Sequence, residues 1–253
     1  MKKILFIIPH PDDEIVGSCI LIRNFLKSGK KVLIFFATNG LIDKDSEWPW
    51  KKKEFRANYL LRKKEMRKSL QNLGVSQYFL QDIATRTLKD NINKTYVKIK
   101  KILGLNTIDT IFCPSYEGGH QDHDVSNFIC SKLKPYCNIF EFPEYNYFNR
   151  RINNNTFIVN SFNDEVIKLN KEQIIFKKKM ISIYRSEKKN LSYIDFRKES
   201  YRPLFDYDYS IPPHEGTLFY RRFSFFSWHP RVDGDNPREV CKKIINSKIF
   251  RNE

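Results

Sequence analysis

Apolar residues run unbroken from Ile4 to Ile8 and again from Val32 to Ala37, and turn-forming or polar residues follow each run. Such continuous runs read as strands buried on both faces, as in a parallel sheet. Between them the period changes. Ile15, Cys19, Leu21, Ile22, Phe25 and Leu26 recur at helical spacing and Gly29 ends the segment, so one helix is expected over 14–28. Strand, loop, helix, strand is the pattern of a parallel βαβ unit. The alternation continues with an amphipathic helix over 54–73 stopped by Gly74, a short strand over 77–82, and a basic helix over about 91–103. A buried strand over 109–115, a helix over 125–133, a strand candidate over 138–146 and a basic helical segment over 165–184 complete the series. Residues 41–53 read as a polar loop. From 201 onward Pro, aromatic and charged residues alternate without a clear period, and short strands and loops packed across the sheet are expected there. No repeat or low-complexity linker divides the chain. The prediction is an α/β fold with a Rossmann-like, mostly parallel sheet flanked by helices. It is expected to form a single domain over 1–253, with an aromatic-rich part (about 201–253) packed on it.

Composition adds bounds. With 41% hydrophobic and 15% aromatic residues among 253, there is enough apolar surface for a substantial core. The net charge of +16 raises nucleic acid as a partner. Yet the Lys-rich runs (KKKEF, LRKKEMRK, FKKKM) are scattered over predicted helix faces and no nucleic-acid motif accompanies them. Solvated helix faces are favoured, a phosphate-bearing or membrane-surface substrate comes second, and no nucleic-acid partner is expected. Five cysteines, odd in number and without a CxxC, sit in apolar segments, which suits reduced thiols. The run after MKK is too short for a secretory signal, and no stretch approaches the ~20 apolar residues of a membrane span. The expected location is cytoplasmic, with peripheral attachment to the inner membrane surface left open.

The chemistry concentrates in two stretches. Pro9 to Gly17 reads PHPDDEIVG, with His10, Asp12, Asp13 and Glu14 crowded after the first strand. Gly118 to Asp124 reads GGHQDHD, with His120, Asp122 and His123 after the 109–115 strand. Ligands of open α/β sheets bind at the carboxyl ends of the strands, so both stretches are expected on one sheet edge. Taken singly, each has a plainer explanation: acids favour a helix N-terminus, and short His/Asp clusters arise by chance. Together they point to a metal. Catalytic zinc takes three protein ligands, with imidazole and carboxylate as suitable donors, and a dication would offset the repulsion between neighbouring carboxylates.

PHPDDE followed about 110 residues later by HQDH resembles the PIG-L/LmbE-like family of zinc-dependent N-deacetylases. Other segments share the likeness: Thr38-Asn39-Gly40, Arg62 with Glu65, Asp82 after the third strand, KKKMISIYRSE (with Glu187 where the family usually has Gln), SYRP and IPPHEG. The resemblance implies one Zn²⁺ per chain, other divalent metals being possible, held by His10, Asp13 and His123. It implies that Asp12 is the general base on metal-bound water, that His120 polarises the carbonyl or protonates the leaving amine, and that Asp122 orients His120. Arg62, Asp82 and His214 become substrate-binding candidates, with a homo-oligomer open because a histidine like His214 acts across a subunit interface in some relatives. His229 is a weaker candidate. Glu14 is either a partner of a metal ligand or a helix cap. Trp48, Trp50, Tyr145 and Tyr147 are candidates for stacking on a sugar, against simple local packing. Gly118 and Gly119 stand where thiol-pathway relatives have a tyrosine, which argues against that branch and suggests room for a substrate beside the backbone.

The implied reaction is removal of an N-acetyl group from a small-molecule amino sugar of the N-acetylglucosamine type, with nucleotide-linked, lipid-linked and free glycans all open. The alternatives are hydrolysis of another amide in secondary metabolism and a non-catalytic sugar- or polyanion-binding module.

Overall fold

The computed structural model describes residues 3–230 and 232–251. In chain order the first half runs β1 (Lys3–Ile8), α1 (Asp13–Val16), α2 (Cys19–Lys27), β2 (Lys31–Phe36), α3 (Phe55–Leu73), β3 (Gln77–Leu80), α4 (Ile92–Asn106), β4 (Thr110–Pro114) and α5 (Gln121–Ser131). The second half runs β5 (Asn138–Phe142), β6 (Tyr145–Asn146), β7 (Asn153–Asn154), β8 (Glu165–Lys168), α6 (Lys171–Ile181), β9 (Lys198–Pro203), α7 (Pro237–Ile245) and α8 (Lys248–Arg251). Seven strands form one sheet in the order β3-β2-β1-β4-β5-β9-β8. β1 to β5 pair in parallel, and β9 and β8 add an antiparallel edge. The expected Rossmann-like, mostly parallel α/β sheet is present.

Helices cover both faces and bury one apolar cluster on each. In-register pairing places Phe6 beside Phe112 and Phe112 beside Phe140. Their rings stack at 4.9 and 5.1 Å between centroids, and burying Phe6 and Phe112 contributes roughly 1.5–3 kcal/mol each. Chain order reverses between β1 and β4, which are adjacent. The crevice at the carboxyl ends of these two strands is where such a sheet binds its ligand, and the two acid-and-histidine stretches leave the strands there.

The single helix expected over 14–28 is two, broken at Gly17 and Ser18. A Cβ on Gly17 would lie 2.5 Å from the Phe142 ring and 2.9 Å from Glu144 Cγ, so the chain passes hard against the end of β5. A buried ion pair stitches the break. Glu199 accepts the Ile20 and Leu21 amides, each at 2.9 Å, at the start of α2. Lys177 Nζ donates to Glu199 at 2.7 Å and to the Val16 carbonyl at 2.7 Å. Nothing within 14–28 announces partners that lie more than 150 positions away.

Further differences concern boundaries. α5 begins at Gln121, capped by His120, so HQDH forms its first turn instead of preceding it. The segment 165–184 divides into β8 and α6, where Asn170 and Gln173 make a reciprocal capping box. Beyond 201 the chain is more helical than expected. α7 opens with Asn236 as cap and Pro237 in its first turn, a start signal legible in the sequence. Among the described residues no helix is long and apolar enough to cross a membrane.

Candidate active site

The turn after β1 sends His10 and Asp13 to one point. His10 places Nδ1 and its backbone amide each 2.9 Å from Asp13 Oδ2. His123, in the first turn of α5, brings Nε2 to 3.2 Å from the same oxygen, out of line for a hydrogen bond. One ligand atom each from His10, Asp13 and His123, all buried, fall within 4.8 Å of one another. Two imidazoles and a carboxylate are the donor set of a catalytic zinc site, and His123 has no hydrogen-bond partner on either ring nitrogen. These residues fit a divalent metal. A second group, His10, His120 and Asp122, shares His10 and also falls within 4.8 Å, but the next contacts show what Asp122 does.

Asp122 lies under His10, with Oδ2 3.0 Å from His10 Nε2. The same oxygen accepts the Thr85 hydroxyl at 2.9 Å and the Arg86 amide at 2.7 Å. Burial opposes ionisation of Asp122, but its bond to His10 and the nearby His120 outweigh this and hold the carboxyl well below the usual range. His120 is 3.7 Å from that carboxylate and instead accepts the Asp122 backbone amide on Nδ1 at 3.0 Å. That contact leaves the ring proton on Nε2. Burial, then His10, pushes His120 well below its ordinary value, so the ring is a neutral donor. Burial would also lower His10, but Asp13 and Asp122 override it and raise the ring to about 10. Asp13 is held low by His123 and His10 in spite of burial.

Asp12 lies beside this cluster with an unusual backbone, φ 133° and ψ −29°. Its amide donates to Glu14 Oε2 at 2.9 Å. Burial, then Asp13, raises its carboxyl to about 8, although Arg62 and His10 pull it down. Glu14 neither reaches a metal ligand nor makes a side-chain cap. It is fully buried and accepts Ser69 Oγ at 2.5 Å and Tyr184 OH at 2.6 Å on Oε1. Its role is to lock the Asp12 amide between three elements.

Arg62 lines the cavity and is buried, not a surface partner of Glu65. It donates to the Pro11 carbonyl at 3.0 Å, lies 3.9 Å from Asp12 Oδ2, and pairs with Glu187. Ser186 accepts Arg62 Nε at 3.1 Å and donates to Glu65 at 2.5 Å. The Arg62/Glu65 pair and the YRSE segment are therefore halves of one contact, and Glu187 supplies an anion to Arg62.

The cavity above this floor has a volume of about 460 Å³. His10, Asp12, Asp13, His120 and Arg62 face it, and Leu61, Tyr145, Leu191, Tyr193, Phe219 and Phe223 give it an apolar, aromatic wall. Arg222 is at the wall with its guanidinium 3.3 Å over the Phe219 ring. No carboxylate pairs with it among the described residues.

Other candidates stand elsewhere. Asp82 is exposed, held by Asn39 at 3.1 Å and Tyr59 at 2.6 Å, and does not line the cavity. His214 packs by Phe148 and contacts the Glu215 carbonyl at 2.7 Å, also away from the cavity. Trp48, Trp50, Tyr147 and His229 are not among its lining residues. Gly119 lines the cavity and Gly118 does not, and in both the direction a side chain would take is filled by the protein. A Cβ on Gly119 would be 2.3 Å from the Tyr145 carbonyl, and one on Gly118 would be 2.8 Å from Leu218.

Glu144 was not anticipated from the sequence. It is fully buried, its Oε2 is 3.9 Å from His123 Nδ1, and neither carboxyl oxygen has a hydrogen-bond partner. Burial and then Asp13 push its carboxyl well above the ordinary range. Glu117 holds this turn by accepting the Glu144 amide at 2.6 Å and the Tyr145 amide at 3.1 Å. The available signal was an acid just past a buried strand, the same reasoning that singled out the other two stretches.

A sequence profile described as PIG-L, GlcNAc-PI de-N-acetylase, matches residues 5–133, half of the chain including both motifs. No functionally curated protein matches the sequence. Among solved structures, a triple mutant of a deacetylase in the teicoplanin biosynthetic pathway is similar at TM-score 0.64 and 15% identity, over 82% of this chain and 99% of that one. N,N'-diacetylchitobiose deacetylase from Pyrococcus horikoshii is similar at TM-score 0.57 and 21% identity, over 79% and 83%. A 4-carboxy-2-hydroxymuconate hydratase from Pseudomonas putida is similar at TM-score 0.50 and 11% identity, over 82% and 98%. At these identities the likeness is one of fold, and the fold hosts more than one reaction. The profile match over both motif loops carries the stronger statement: this chain belongs to the PIG-L family.

Proposed function

We propose that this protein is a divalent-metal-dependent amidohydrolase that removes the N-acetyl group from an amino-sugar glycoconjugate. One observation carries the reading: His10, Asp13 and His123 converge in a buried cluster with Asp12 and His120 beside them on the cavity floor. A bound Zn²⁺ would supply Lewis-acid polarisation and lower the pKa of water towards ~7. Asp12 takes a proton from the attacking water. The carboxylic acid so formed can return that proton to the leaving nitrogen as the C–N bond breaks. His120 donates from Nε2 to the carbonyl oxygen as it gains charge, which favours the carbonyl-polarising role over protonation of the amine. The Asp122 carboxylate positions His10 and its backbone amide orients His120, while Glu144 Oε2 lies 3.9 Å behind His123 Nδ1, on the side where partners of metal-bound imidazoles stand. Arg62 fixes the turn bearing Asp12.

The substrate class follows from the wall. Aromatic faces suit a sugar ring, and Arg222 suits an anionic aglycone such as a phosphate. The apolar wall also favours a second reading, hydrolysis of a longer acyl amide by the same groups. An acetate-release screen over nucleotide-linked, lipid-linked and free N-acetyl sugars, with released acids identified, separates the two. Asp12→Asn should keep its zinc and lose acetate release; full activity in that variant would remove Asp12 as the base.

A further inference from the structure

Two loops far apart in sequence join their aromatic rings beside the cavity mouth. Trp48 and Trp50 stack with centroids 4.9 Å apart, and Trp48 lies 6.3 Å from Trp228. Phe226 lies 6.4 Å from Trp228 and 5.4 Å from Phe225. The rings are nonetheless open outward, with Trp50, Trp228 and Phe225 exposed by 59%, 67% and 88%. Scattered apolar residues on a surface need no explanation, but a contiguous cluster does. All three tryptophans of the chain are in it. The cluster continues into the cavity, because Glu47, beside Trp48, and Phe223, two residues before Phe225, are both lining residues.

The flanks are basic. Segment 44–56 has five Lys and Arg against three acids, and segment 219–230 has Arg221 and Arg222 with no acid. Together with the net charge of +16, this selects among the possible covers. A second copy meeting this face through a two-fold axis would set like charge against like. An anionic bilayer supplies the opposite charge, seats Trp rings at headgroup level and accepts Phe into the acyl boundary.

We propose that the rim formed by Trp48, Trp50, Phe225, Phe226 and Trp228 with its flanking Lys and Arg is a docking surface for an anionic lipid bilayer. Docked this way, the cavity mouth opens at the membrane surface and Arg222 meets an amino sugar linked to lipid through phosphate. That consequence rests on the deacetylase reading; the docking itself does not.

The test is flotation of the full zinc-loaded chain at low salt with vesicles of phosphatidylcholine alone and of equal parts phosphatidylcholine and phosphatidylglycerol. The protein should float with the anionic vesicles only, and its tryptophan emission should shift to the blue. The triple substitution Trp50→Ser, Phe225→Ser and Trp228→Ser should lower partitioning at least about ten-fold. Phe225→Ser alone, at the most exposed of these sites, should lower it about three-fold and guards against misfolding of the triple variant. Acetate release from a water-soluble N-acetyl sugar should be unchanged in both; its absence in the unsubstituted protein too would count against the deacetylase reading and leave the flotation result standing. Failure to float with anionic vesicles, or equal flotation of the substituted chains, would overturn the proposal. So would light scattering that showed a dimer made monomeric by the triple substitution.

Discussion

Asp12 has φ 133° and ψ −29°, a region that residues with a Cβ avoid. Such a conformation costs about 1–3 kcal/mol and persists only where the surroundings impose it. Here the Glu14 carboxylate holds the Asp12 amide and Arg62 holds the Pro11 carbonyl. Asp12→Gly and Asp12→Ala both delete the carboxylate, so the difference between them reports the backbone. Glycine regains the strain of about 1–3 kcal/mol and loses about 0.5–1 kcal/mol through its freer unfolded chain. The Gly variant should thus exceed the Ala variant by up to ~2.5 kcal/mol, where at an ordinary position the order would be reversed. At this chain length, 1 kcal/mol corresponds to about 2–4 °C in Tm. Thermal and urea unfolding at one fixed zinc concentration measure the difference, and acetate release measures the chemistry. Both variants should lose about 10²–10⁴-fold in kcat. An Ala variant more stable than the Gly variant would refute the strain. Activity within ten-fold of the unsubstituted protein would refute the proton-transfer role.

Three other substitutions probe the layers around the site. His123→Ala should abolish bound zinc measured by metal analysis, and a normal metal content would remove it from the ligand set. Glu144→Ala should weaken zinc binding about 10–100-fold in a competitive chelator titration, while unchanged affinity would make Glu144 only a packing residue. Lys177→Met leaves Glu199 buried without its cation, which should cost about 3–5 kcal/mol in denaturant unfolding; a loss under 1 kcal/mol would mean that the pair contributes little at the break between α1 and α2.

The parallel sheet was legible because its strands are unbroken apolar runs and the intervening helices keep their period. The site was legible to the extent that its residues are adjacent in sequence: His10 with Asp13, and His120 with Asp122 and His123. What sequence could not supply was long-range pairing. The break at Gly17 depends on Lys177 and Glu199. The partner of Asp122 is His10, 112 positions away. Glu187, where the family usually has Gln, has meaning only once the turn after α6 places it on Arg62. Asp82 and His214 matched family positions in sequence, yet their side chains settle on Tyr59 and Asn39, and on Phe148 and the Glu215 carbonyl. Local patterns report which face a residue occupies; they do not report which distant polar group meets it there.

In the proposed function a metal held by His10, Asp13 and His123 serves an N-deacetylation. Product stoichiometry on an N-acetyl amino sugar tests it most directly, measured on zinc-loaded, chelator-stripped and zinc-restored protein. One acetate and one free amine per turnover are expected, lost on stripping and recovered on restoration. Turnover that survives stripping, or amine formed without acetate, would contradict that function.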